Sequence, residues 1–161
     1  MHIREAGWPA GGVRVRGYTL LELVLALIVG GVLLALAVGN YSAYVKRARV
    51  AAAIADIHKI QLAIDRYRLN SNDQLPPDLA AVGMGALRDP WGNAYEYLGF
   101  DGLQGKGKMR KDKNLVPINT TYDLYSKGPD GASVAPLTAK ASRDNIVRAN
   151  DGGYIGVAAD Y

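Results

Sequence analysis

The sequence predicts an α+β protein: one long N-terminal helix, its first half apolar enough for a membrane, packed on a small antiparallel β-sheet head. Three observations predict it. Residues 20–45 are almost wholly apolar. Apolar positions at helical spacing continue beyond that block. Short alternating segments bounded by turn residues follow Pro76 and Pro77.

Residues 1–17 are rich in Gly and Arg and have no helical or strand period, so they read as a leader to be removed or as disordered chain. Arg4, Arg14 and Arg16 against Glu5 supply half of the formal net charge of +4. The remainder is only weakly basic, and no nucleic-acid partner is expected. Residues 18–45 form an apolar helix in which Glu22 is the one charge. That length spans a hydrocarbon core of roughly 30 Å. Gly30, Gly31 and Gly39 weaken the helix by about 1 kcal/mol each relative to Ala, and Pro is absent. Residues 46–70 continue it as an amphipathic helix. Ala53, Ile57, Ile60, Ile64 and Tyr67 recur on one face, with Asp56, Lys59 and Arg66 on others. Asn70-Ser71-Asn72-Asp73 and the two prolines stop it. A continuous helix over 18–70 is about 80 Å long, more than a head of residues 71–161 can bury. Half of it must lie in lipid, in a partner, or in both.

Within the head, residues 78–82 suggest one helical turn. Asp89-Pro90-Trp91-Gly92-Asn93 is a turn cluster, and residues 94–98 alternate as a short strand. Residues 99–114 form a Gly- and Lys-rich loop whose basic run (Lys106, Lys108, Arg110, Lys111, Lys113) reads as solvated. Residues 120–126 are a second strand, Gly128-Pro129-Asp130-Gly131 is a turn, and the tail to Tyr161 reads as irregular. Trp91, Tyr95, Tyr97, Tyr122 and Tyr125 are expected to pack the sheet against the helix.

No enzyme is expected. The chain has no Cys, and its two histidines are His2 and His58, which leaves no His-based triad or zinc site. Gly102, Gly107 and Lys108 have the spacing of a phosphate loop, but Met109 follows where a hydroxyl would hold magnesium. Without disulfides, a small exported head has a metal ion as one substitute staple.

The segment Arg16-Gly17-Tyr18-Thr19-Leu20-Leu21-Glu22 carries the most information. An acid inside an apolar helix costs about 2.5–3.5 kcal/mol or more in lipid and calls for a partner. The freed amine of an adjacent copy is one. An ordinary secretory signal, cut near Ala35-Leu36-Ala37, or a plain anchor would explain neither Glu22 nor the amphipathic extension. This segment resembles the prepilin family, which includes type IV pilins and the pseudopilins of type II secretion. The resemblance implies a pilin-like fold, cleavage by a prepilin peptidase between Gly17 and Tyr18, N-methylation of Tyr18, and Glu22 as the assembly acid. Tyr18 stands where the family usually has Phe, and Gly39 where many members have Pro.

Two head blocks, Asp89 to Tyr97 and Tyr122 to Gly131, look like those of the major (G-type) pseudopilin. The resemblance then implies a structural subunit of a periplasmic filament that drives type II protein secretion. It implies a single-pass inner-membrane protein with a periplasmic head, lying in membrane lipid before assembly. Implied partners are further copies of itself in a helical filament, the prepilin peptidase, minor pseudopilins and the inner-membrane assembly platform. It also implies one calcium ion in the C-terminal loop, with Asp130, Ser133, Asp144 and Asn145 as candidate ligands and carbonyls from residues 124–128 in reach. Asn150 and Asp151 are rivals, and Lys140 and Arg143 oppose a cation there. Two other functions fit parts of the pattern. A type IV pilin for adhesion, motility or DNA uptake shares the N-terminal segment. A monomeric membrane-anchored binding module would use the head loop alone.

Overall fold

The computed structural model describes residues 17–161. Leader residues 1–16, with His2, Arg4, Glu5, Arg14 and Arg16, lie outside the described residues, as do the side chains of Ala37, Gly39 and Asn40. Helix α1 runs Leu20–Asn70, followed by β1 (Glu96–Gly99), β2 (Tyr122–Ser126), β3 (Ile146–Ala149) and β4 (Tyr154–Val157). The chain divides into two compact units, Met1–Ser42 and Ala43–Tyr161.

In the first unit, every described side chain from Tyr18 to Ser42 is exposed, including Leu20 at 82% and Leu27 at 76%. An 18-residue window of α1 has a mean hydropathy of 2.7, long and apolar enough to cross a membrane. An exposed apolar surface of this size marks a face for lipid or for other chains.

The second unit has its own core. Ala53, Ile57, Ile60 and Ile64 are fully buried, on the spacing that the sequence predicts. They pack with Leu79, Tyr95, Tyr122, Leu124 and Ile146. Truncating any one of these isoleucines to Ala removes about 2–5 kcal/mol. His58 is exposed. The sheet is a four-stranded antiparallel meander in the order β1-β2-β3-β4, with Tyr97 opposite Leu124 and Val147 opposite Gly156.

Five details differ from the sequence reading. The second strand begins at Tyr122, because Thr120 gives its N–H and hydroxyl to the Asp151 carboxylate instead of to a neighbouring strand. The tail is not irregular but holds β3, β4 and three short 3-10 turns. All four residues of β3 are buried. Ile146 joins the helix-side core, while Val147 and Ala149 join a second cluster with Ile118, Leu137 and Ala158. A strand covered on both faces shows no polar alternation. The first strand begins at Glu96, with Ala94 held in an isolated bridge to Arg88. Residues 78–82 form bends and turns, not a regular helical turn, although the Asp78 carboxylate takes the Ala81 N–H at 2.9 Å as an N-cap would. Tyr125 packs with the second cluster, away from the helix.

Candidate functional site

Two places carry the candidate residues. At the start of α1, Gly17 and Tyr18 precede the helix and both are exposed. A Cβ at Gly17 would meet nothing within 4 Å, so no contact in the described chain demands glycine there. Thr19 and Glu22 close on each other. Glu22 Oε2 accepts from Thr19 N at 3.0 Å and from Thr19 Oγ1 at 3.1 Å, while Glu22 N donates to Thr19 Oγ1 at 3.2 Å. This is a capping box, which satisfies amides that the first helical turn leaves free. The sequence reading missed Thr19, although the spacing Thr19-Leu20-Leu21-Glu22 is its signature.

The second place is the head loop. Two motif blocks interlock there. Asp89, 4% exposed, accepts from Trp91 N and Asn93 N through Oδ1 and from Ser126 Oγ at 2.5 Å through Oδ2. Asn93 Nδ2 donates to Gly128 O at 3.0 Å. Tyr95 Oη donates to Asp56 on α1 at 3.0 Å; burial and then that carboxylate push the phenol far above its ordinary range.

The candidate calcium ligands have other partners. Asp130 is exposed and takes the Ala132 N–H at 2.8 Å in its own turn. Ser133 Oγ accepts from Arg110 Nη1 at 2.7 Å. Asn145 is fully buried, and one amide orientation satisfies it. Its nitrogen then donates to the Lys127 and Ala132 carbonyls, and Oδ1 accepts from Ser133 Oγ and from Arg110 Nη2, each at 2.6 Å. Arg110 Nη1 also donates to Val134 O at 2.6 Å. Asp144 Oδ1 is buried without a hydrogen-bond partner. Among the described residues, no three His, Cys, Asp or Glu side chains come together as a metal site. Of the expected carbonyls, Lys127 and Gly128 already accept from Asn145 and Asn93.

Arg110 is therefore not part of a solvated basic run. It is 3% exposed, its guanidinium lies 4.0 Å from the Tyr125 ring centroid, and its backbone N–H donates to the Asp123 carboxylate at 2.6 Å. Arg148 is its counterpart on the helix side, 4.0 Å over the Tyr122 ring and bonded to Gln61, Asn119 and the Tyr122 carbonyl. No local pattern in the sequence marks either arginine, because each is held by residues far along the chain.

A family profile described as the prokaryotic N-terminal methylation motif matches residues 13–38. That defines the class: a prepilin-like protein that carries the N-terminal methylation motif at the start of its long helix. The type II secretion system core protein G of Escherichia coli strain K12 is 30% identical over 72% of this chain and 83% of its own length. The proteins of the same description from Pectobacterium carotovorum and Pseudomonas aeruginosa are each 29% identical, over 79% and 71% of this chain and 84% of each relative. The chain belongs to the family of type II secretion system core protein G. No solved structure matches it.

Proposed function

We propose that this chain is a major pseudopilin, cut between Gly17 and Tyr18, methylated at Tyr18 and assembled through residues 18–45 into a periplasmic filament that serves type II secretion. It acts mechanically and catalyses nothing. Before assembly its apolar helix lies in the inner membrane with the head in the periplasm. The prepilin peptidase, minor pseudopilins and the assembly platform are its partners.

The observation that carries this reading is the start of α1. An exposed Gly17-Tyr18 pair, unconstrained by packing, stands directly before a capped helix whose described side chains are all exposed as far as Ser42. An open glycine suits a peptidase site. The exposed apolar helix suits a membrane first and a bundle of copies afterwards. Cleavage puts a new ammonium at Tyr18, where Glu22 of a neighbouring copy can pair with it.

Glu22 has a bland role as well, as half of its own cap. Two substitutions separate the roles. Glu22→Gln keeps a capping side chain and removes the charge; Glu22→Ala removes both. Charge pairing predicts that both fail to form filaments in cells while remaining membrane-inserted. Normal filament levels with Glu22→Gln would leave capping as the whole contribution and refute assembly through the charge.

A further inference from the structure

We propose that the Arg110 guanidinium is the built-in cation of the C-terminal loop, and that this head is held together by it rather than by a bound calcium ion. The donor set points this way. Ser133 Oγ, Val134 O and Asn145 Oδ1 converge on Arg110 at 2.6–2.7 Å. Two of these residues, Ser133 and Asn145, are those from which calcium ligation is expected. All three oxygens are neutral. A divalent ion in a site of this kind wants carboxylates to balance it. A single delocalised charge is held by a hydroxyl, a carbonyl and an amide over an aromatic face, here through Nη1 and Nη2, with Nε buried and unpartnered.

The surroundings fit the same account. The planar fork spans Ser133, Val134 and Asn145, so one side chain ties both ends of the loop to residue 110. Asn145 is neutral where an acid would favour a metal. The neighbouring Lys111, Lys140 and Arg143 add no acceptor for a second cation. The loop is also closed at its far side, where Ser142 Oγ donates to Val134 O and accepts from Val134 N. Asp144 Oδ1 is buried and unpartnered, but it is one carboxylate oxygen where calcium takes six to eight oxygen ligands.

The test is thermal unfolding of the full chain in detergent, after treatment with a chelator and then with millimolar calcium, for the natural protein and for Arg110→Met and Arg110→Lys. The expected result is a Tm that calcium moves by less than about 1 °C in the natural protein. Arg110→Met should melt about 5 °C lower or fail to fold, with Arg110→Lys in between because an ammonium cannot span the three oxygens. A rise of more than about 3 °C on adding calcium to the natural protein overturns the proposal, whatever the variants do. So does an Arg110→Met protein that melts with the natural one. Neither readout depends on filament assembly, so the inference stands or falls apart from the proposed function.

Discussion

Glu22, Arg110 and Asp151 are single side chains on which separate parts of the account rest. Asp151 is the third. Its carboxylate accepts from Thr120 N at 2.9 Å and Thr120 Oγ1 at 2.6 Å, and lies 3.7 Å from Arg148 Nη1. Burial alone would raise its pKa; the Thr120 hydrogen bonds, Arg148 and Thr121 outweigh that and hold it below the usual carboxylate range. A carboxyl held lower in the folded state stabilises the fold above the unfolded pKa of about 3.9, and that contribution is lost as pH falls through the folded value. Asp151→Asn should therefore melt below the natural protein near neutral pH, with the gap closing towards about pH 3. A gap that stays constant across thermal melts at these pH values would contradict the assignment. At this scale the sequence is legible where the pattern is local. The helix face from Ala53 to Ile64 can be read from spacing, whereas the roles of Gly17, Tyr18 and Glu22 come from the resemblance of a short local motif. Arg110 and Arg148 can be read from neither, since their partners lie up to 87 residues away.

At the scale of elements, the two head blocks belong together because each supplies what the other lacks. Asp89 and Asn93 in the first bond Ser126 and Gly128 in the second. Gly128 sits at φ +69, and a Cβ there would lie 2.4 Å from the Asp144 carbonyl. Glycine is thus required twice over, by backbone conformation and by the approach of the residue 144–145 segment. Gly128→Ala should cost about 2 kcal/mol or more, measured by denaturant unfolding. A loss under about 0.5 kcal/mol would mean that the two segments do not meet as described. The tail strands escaped the sequence reading for a related reason. They are four residues each, β3 is buried on both faces, and their hairpin turns through Asn150 and Asp151 at positive φ and Gly152 at φ +96. Composition at Asn, Asp and Gly announces the turn and hides the strands on either side.

For the whole molecule, the division of labour lies along one helix. Its second half belongs to the head and carries the buried face that the sequence shows most clearly. Its first half has no core of its own among the described residues, and an exposed apolar surface of that size is what the proposed insertion and assembly would cover. On the proposed reading, removal of the leader converts the one state into the other by freeing an amine for Glu22 of another copy to meet. The central claim is therefore tested most directly by the N-terminus and intact mass of the protein purified from membranes of its native host. The account predicts a chain that begins at an N-methylated Tyr18. A chain beginning at Val38 would mark a released secretory protein, and one beginning at Met1 a plain anchor; either would contradict assembly through the processed helix.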